Sequence, residues 1–326
     1  MTLSGDKLSF VRASPGDADR FAAHEQRVAN RLYGPPLDRE ACAREIADNA
    51  LYFVEVEGAL GATAAWRLRD DGSAYLCHIA VDPDFRRRGV ARAAMHFLLE
   101  EARDCARIDL VTHPDNAAAL ALYRSLGFAV ESRKENHSGD GEPRVAMLRR
   151  KPLATSRLLL RAVTSSDRMD LHRLEQDPEV MRHLNGGRPT PLEPHAGAET
   201  EFLMPRGPEV GLWAVVERQT DRLLGWVSLR PEGNVGDLGY RFFREAWGRG
   251  FATEAAQAVI ADGFLELGLG RITAETMSVN IASRRVMQRL GMRCVRTFIA
   301  DYPDKLPGSE QGDVEYALLR EEWIPG

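Results

Sequence analysis

Three consecutive arginines, Arg86, Arg87 and Arg88, stand directly before Gly89, Val90 and Ala91 in the stretch RRRGVARAAM. An apolar, β-rich run, YLCHIAV, ends just upstream, and from Val90 the apolar residues recur three and four apart. The stretch therefore reads as a turn between a strand and a helix. Backbone N–H groups at a helix start lack intrahelical acceptors, and the helix dipole makes that point electropositive. The chemistry on offer is capture of a phosphate or diphosphate. Gly89 and Ala91 would admit it closely, and the arginines would add charge. The same residues also suit an ordinary tight turn with a solvated arginine face, and spacing leaves both readings open. WGRGFATEAA, residues 247–256, repeats the arrangement with Trp247, Gly248, Arg249, Gly250, Phe251 and Ala252. Neither a Walker A lysine nor a GxGxxG fingerprint accompanies the first turn.

The elements that must hold these turns come in two copies. In the first, a strand at 75–81 leads into the helix from Val90. A strand at 107–112 follows, then a helix in NAAALALYRSLGF stopped by Gly127, and a strand at 128–131. In the second, a strand at 237–243 leads into a helix beginning near Gly250. RITAETM at 271–277 is a strand, and NIASRRVMQRLGM is a helix ended by Gly291. Asn116 and Asn280 take matching places, and three extra residues are expected in the intervening helix or loop of the second copy. Each half opens with a strand and a polar helix start, LSFVRASPGDADRF at 8–21 and RLLLRAVTSSDRMDL at 157–171, and closes with strands at 144–150 and 314–320. A repeat of this length is a duplicated domain and not a solenoid period. The expected domains are 1–150 and 156–326, with a linker near 149–156 where Pro152 breaks both periodicities. Alternating strand and helix patterns place each in a mixed α/β (α+β) class.

Composition narrows the function. The 326 residues exceed the size of one ordinary core and suit two domains. A formal charge of −5 gives no support for a nucleic-acid or anionic-membrane partner. No signal-peptide h-region and no spanning helix is seen, and Cys42, Cys77, Cys105 and Cys294 form no CxxC pair. A cytoplasmic protein with free thiols and without a metal site is the expectation.

VDPDFRRRGVARAAM together with HPDNAAALALYRSLGF resembles the core of the GNAT superfamily of N-acetyltransferases. Its signature is Arg or Gln, two free positions, Gly, one free position, then Gly or Ala, met here by Arg86, Gly89 and Ala91. The second half, through RLLLRAVTSSD, LGYRFFREAWGRGFATEAA and NIASRRVMQRLGM, is similar to the ribosomal-protein-alanine acetyltransferase branch. Trp247 departs from the signature at its first position, in a form usual for that branch. The resemblance implies two domains, each a mostly antiparallel mixed sheet with a splayed central strand pair flanked by helices. It implies acetyl-CoA as cosubstrate, with diphosphate on the turn amides and the acetyl end between the splayed strands.

Cofactor contacts carried by the resemblance are Ile79, Val81, Arg86 to Ala91 and Asn116 in the first half. In the second they are Tyr240, Phe242, Trp247 to Ala252, Asn280 and Ser283. Transfer to an amine needs orientation, a neutral nucleophile, an oxyanion donor and a proton for the leaving thiolate. Backbone amides within 78–81 and 239–242 are the expected oxyanion donors. Tyr123, seven residues after Asn116, is the expected acid, since a phenol stays protonated at neutral pH. The matching residue of the second half is Met287, which cannot donate a proton, and Ser283 is the nearest polar candidate. Asp237 is the candidate base or substrate anchor, and a solvated loop acid is the plain alternative. His78 has a suitable pKa, but a core histidine is the preferred reading. Whether His78 or Cys77 faces the cleft depends on a bulge the sequence does not locate.

The expected activity is acetyl transfer to a primary amine, on a small molecule or a protein N-terminus, by direct attack in a ternary complex. Acetyl-CoA binding is expected in both halves, and catalysis is expected in the first half before the second. The alternative is that one or both domains serve as a non-catalytic acyl-CoA-binding scaffold or interaction module. A homodimer is compatible with the sequence, and acceptor choice is assigned to the loops at 33–49 and 183–199.

Overall fold

The computed structural model describes residues 8–136, 141–184, 188–190, 211–299 and 306–325. It divides into two compact units, with the boundary between Lys151 and Pro152.

The first unit contains β1 (Leu8–Arg12), α1 (Ala18–Val28), α2 (Arg39–Asp48), β2 (Ala50–Val56), β3 (Ala59–Leu68), β4 (Ala74–Val81), α3 (Val90–Glu101), β5 (Arg107–Thr112), α4 (Ala117–Ser125), β6 (Ala129–Lys134) and β7 (Arg144–Arg150). Its strand order is β1-β2-β3-β4-β5-β7-β6. Every neighbouring pair is antiparallel except β4 and β5. One face packs on α3 through Val90, Ala94, Met95 and Leu98, and the other on α1 and α2 through Phe21, Cys42 and Ile46. Burying each large apolar side chain of this kind contributes about 1.5–3 kcal/mol.

The second unit contains β8 (Leu153–Ala154), β9 (Leu158–Ala162), α5 (Arg168–Leu174), α6 (Pro178–Met181), β10 (Leu212–Glu217), β11 (Arg222–Glu232), β12 (Val235–Phe242), α7 (Phe251–Leu265), β13 (Arg271–Met277), α8 (Ile281–Arg289), β14 (Arg293–Phe298) and β15 (Asp313–Leu319). The order is β14-β15-β13-β12-β11-β10-β9-β8, with β12 and β13 the parallel pair. α7 is 15 residues long against 12 for α3, so the three extra residues lie in the helix. No described helix is long and apolar enough to cross a membrane.

Two expectations need correction. The proposed linker is largely structured. Arg149 and Arg150 finish β7, while Leu153 and Ala154 form β8 against Leu160 and Leu159. Pro152 falls between the end of β7 and the start of β8 in the chain, where a missing N–H costs no ladder bond. The stretch 33–49, read as a loop, contains α2, started by the Asp38 carboxylate accepting from the Ala41 amide at 2.8 Å. In 183–199, residues 185–187 and 191–199 lie outside the described residues.

Candidate active sites

Both sheets open at the parallel pair. β4 meets β5 only at Ala74–Ile108, Tyr75–Asp109 and Leu76–Leu110, yet β4 runs on to Val81 and β5 to Thr112. β12 meets β13 only at Val235–Arg271, Gly236–Ile272 and Asp237–Thr273 before the strands part. Beyond each apex the strand edges facing the gap have no ladder partner. Alternate amides there point into a cleft that can take an extended ligand.

At the mouth of each gap lies the glycine turn. Pro83–Phe85 and Arg244–Ala246 form single 3-10 turns. Gly89 (φ 88°) and Gly250 (φ 80°) then stand in the left-handed region as N-caps of α3 and α7, where a side chain would be strained. The amides of Arg87 to Arg92 and of Gly248 to Thr253 have no backbone acceptor among the described residues. Each turn is thus a nest of free donors at a helix start, suited to a diphosphate.

The first position of the signature has a structural duty in both halves. Arg86 Nε donates to the carbonyl of Val81 at 3.3 Å, and Trp247 Nε1 donates to the carbonyl of Phe242 at 2.8 Å. Both bonds span five residues and tie the turn to the end of the preceding strand. The indole N–H does the work of the missing guanidinium, so the departure at Trp247 preserves the turn. The next position differs in cost. Arg87 has φ 61° where the second unit has Gly248 at 71°, and a left-handed arginine costs about 1–2 kcal/mol.

The second-unit cleft is a cavity of about 670 Å³ that reaches from Trp247, Gly250 and Ala252 to Asp237 at the apex. The first-unit cavity, about 270 Å³, is lined by His78, Ile79, Asn116 and Tyr123, but stops short of residues 86–91. Arg249 lies outside the larger cavity. Its guanidinium pairs with Glu217 at 2.9 Å and stacks over Phe251, so of this residue the amide is what the turn offers. Val81, Val90, Phe242 and Phe251 are buried and likewise present backbone, while Arg86, Arg87 and Gly89 are exposed and Arg88 is half-buried over the Phe85 ring.

Asn116 and Asn280 border the cavities as helix caps. Their Oδ1 atoms accept from the amides of Ala119 and Ser283, each at 3.2 Å, and Asn280 Nδ2 also donates to Thr276 at 3.0 Å. They fix where α4 and α8 begin, and so where the far wall of each gap stands.

A phenol enters both gaps, from opposite walls. Tyr123 projects from α4 and is buried, which pushes its hydroxyl well above the ordinary tyrosine range. In α8 the corresponding Met287 is buried in the core. The second phenol comes from the strand wall instead. Tyr240, matching Ile79, reaches across so that its hydroxyl lies 2.9 Å from Ser283 Oγ and 3.2 Å from the Ser283 carbonyl. Burial, eased by the bond with Ser283, pushes that phenol up to about 12. Both hydroxyls are therefore protonated donors at neutral pH.

Asp237 stands at the apex of the second gap. Its side chain meets solvent, but the cleft walls crowd it and push its carboxyl upward against the pull of Arg230. Glu275, two residues past the partner Thr273 on the same strand face, is also pushed up, by burial and then by the charges of Glu315 and Asp237. Glu275 was missed on sequence. Its one signal was the spacing of two from a residue opposite Asp237, visible only once the strands are paired.

The bulge left unplaced on sequence is at Cys77, because the β3–β4 ladder pairs Ala65 with His78 and Trp66 with Leu76. The β11–β12 ladder has no such interruption. Cys77 and His78 both line the first cavity, and His78 holds Nε2 3.0 Å from Thr63 Oγ1 and 3.3 Å from Glu25 Oε1. Glu25, on α1, is a second residue that sequence reading passed over, since a glutamate inside a helix pattern reads as a surface residue.

Comparison with known proteins agrees with this geometry. The model for the Acetyltransferase (GNAT) family matches residues 19–128, and that for the Acetyltransferase (GNAT) domain matches 157–293. The FsC-acetyl coenzyme A-N(2)-transacetylase of Aspergillus fumigatus is 35% identical over 185 residues, covering 53% of this chain and 77% of that protein. A [Ribosomal protein bS18]-alanine N-acetyltransferase of Escherichia coli, from the branch named on sequence, is 34% identical over 113 residues, covering 34% and 76%. A solved GNAT-family acetyltransferase from Bacillus anthracis is 27% identical with a TM-score of 0.45, covering 52% of this chain and 99% of its own. The two family matches and the Aspergillus fumigatus relative, with a splayed sheet and a bare-amide turn present twice, show that the chain belongs to the GNAT family of acetyl-CoA-dependent N-acetyltransferases.

Proposed function

We propose that each unit binds acetyl-CoA across its opened strand pair and transfers the acetyl group to a primary amine by direct attack in a ternary complex. One observation carries the reading: in both units a run of amides without an acceptor opens onto the one parallel strand pair of the sheet among the described residues. The turn amides at 87–92 and 248–253 hold the diphosphate. The strand edges of β4 and β12 aim the acyl carbonyl, and their amides stabilise the oxygen as charge develops on it.

Protons are moved by different residues in the two units. In the second, Asp237 with Glu275 takes the amine proton at the apex, and raised carboxyls suit that role better than ordinary ones. Tyr240, supported by Ser283, gives a proton to the departing sulfur. In the first, Tyr123 is the donor. The continuous cleft favours the second unit as the better preformed of the two. The relatives' names give FsC and the alanine of ribosomal protein bS18, so both small-molecule and N-terminal amines fall within this reading.

Calorimetric titration of the full chain with acetyl-CoA is expected to show two sites, and no binding at all would sink the proposal. Tyr240→Phe and Tyr123→Phe are each expected to keep acetyl-CoA affinity. Their combination should lower thiol release with an amine panel about 10²-fold or more. Undiminished turnover in the double variant would remove the phenols from the mechanism.

A further inference from the structure

The two units carry the same buried glutamate and treat it differently. Asp17 and Asp167 end the 3-10 turns that follow β1 and β9, and Glu25 and Glu175 each follow eight residues later. Both are buried at the end of the first helix or just beyond it. Glu175 is neutralised inside its own unit by Arg241 of β12, itself 5% exposed. The position of Arg241 is taken in the first unit by Ala80, whose carbonyl instead meets His24 Nε2 at 3.2 Å. No arginine or lysine pairs with Glu25 among the described residues. Its partner is His78, brought beside it by the bulge at Cys77.

Glu25 also faces a cavity, unlike Glu175. Its Oε1 is buried and makes no well-formed hydrogen bond. Nε2 of His78 lies 3.3 Å away but is directed to Thr63 Oγ1. Leaving a buried carboxylate oxygen without a donor costs about 1–3 kcal/mol or more, and a donor from a ligand recovers it. Burial pushes the carboxyl upward, but His78, a backbone hydrogen bond from Leu37 and the nearby His24 together hold it below its ordinary range, so an ionised group faces the cavity.

We infer that Glu25 and His78 form the acceptor subsite of the first unit, and that its substrate class is a small cationic amine whose ammonium takes the place Arg241 fills in the second unit. The inference rests on acetyl transfer as proposed above and adds the acceptor to it. Glu25 Oε1 anchors the ammonium. His78, with its own hydrogen on Nδ1, accepts one ammonium proton at Nε2. The freed nitrogen lone pair forms the C–N bond at the acyl carbon, and the C–S bond breaks with its electron pair going to sulfur, which takes the Tyr123 proton. The second nitrogen proton passes through solvent to the Tyr123 phenolate, and His78 releases its proton to solvent, so that one proton leaves in all. A cavity of about 270 Å³ restricts the acceptor to a small molecule or the tip of a longer one.

The test uses the full chain, with 1,5-diaminopentane as the probe amine and calorimetry as the readout. Glu25→Gln is expected to weaken diamine binding at least tenfold while leaving acetyl-CoA affinity unchanged. Glu25→Asp, which keeps the charge, should recover part of the loss. Equal diamine affinity in Glu25→Gln and the unsubstituted chain would overturn the inference. So would equal weakness of the Asp and Gln variants, or no diamine binding by the unsubstituted chain. Diamine binding through Glu25 in a chain that binds no acetyl-CoA would uphold the ammonium site and overturn acetyl transfer instead.

Discussion

The two units share a fold and a turn, and part company in how each fills its cleft. In the second, β12 runs without a bulge and sends Arg241 under the sheet to Glu175 and Tyr240 over the gap to Ser283. In the first, one extra residue at Cys77 resets β4. A histidine then faces the helix glutamate, Ile79 stands where the phenol would be, and α4 supplies Tyr123 from the far wall. A one-residue slip turns every later side chain to the other face unless the ladder absorbs it, so a bulge is a cheap way to rewrite one wall. What the pair teaches is that the two units share the backbone donors and differ in the titratable side chains that border each cleft.

The comparison is sharpened most by removing the proposed base of one unit. In a Tyr123→Phe background, Asp237→Asn is expected to lower acetyl transfer about 10²–10⁴-fold. A base works ionised, so kcat/KM should climb as pH rises through the raised carboxyl range and lose that dependence in the variant. A pH–rate profile of thiol release with the same slope in both chains would contradict the assignment.

Next in size is the buried pair. Glu175→Ala strands Arg241 in the core and is expected to destabilise the second unit by about 3–5 kcal/mol. Glu25→Ala leaves no buried arginine behind and should cost the first unit less. Denaturant melts can separate the two, because Trp213, Trp226, Trp247 and Trp323 report on the second unit and Trp66 on the first. Equal losses would mean that the glutamates are not handled differently.

Smaller effects belong to the turns. Trp247→Phe removes the bond to the Phe242 carbonyl and should cost about 1 kcal/mol, with weaker acetyl-CoA binding, whereas Trp247→Gln retains a donor and should lose less. A reversed order would show that ring packing matters more than the hydrogen bond. Arg87→Gly relieves a left-handed side chain and is expected to stabilise the first unit by about 0.5–1 kcal/mol. Gly248→Arg should do the opposite in the second, and no change in either melt would refute the strain assigned to φ 61°.

Much of this was legible in the chain. The strands at 107–112, 144–150 and 271–277 have the limits their apolar patterns gave, and Gly127 and Gly291 end their helices as glycines with positive φ. These are local signals, fixed by periodicity and by backbone conformation that few residues tolerate. The site was legible in part. The two turns, Asn116, Tyr123, Asp237, Asn280 and Ser283 all border the clefts or their mouths. Arg249 turned instead to Glu217 at the end of β10, 32 residues earlier in sequence, because an ion pair between a turn and a distant strand is decided by folding. Glu275, Glu25 and the crossing of Tyr240 stayed hidden for the same reason.

Residue order by itself determined that this protein has two α/β units, each with a glycine turn whose amides have no helical acceptor. Sterics and the helical hydrogen-bond pattern act over a few residues and need no partner. Only the tertiary structure decided which acids and phenols meet in each gap. Strand register, one bulge and the position of a buried charge are settled by contacts between residues far apart in the chain.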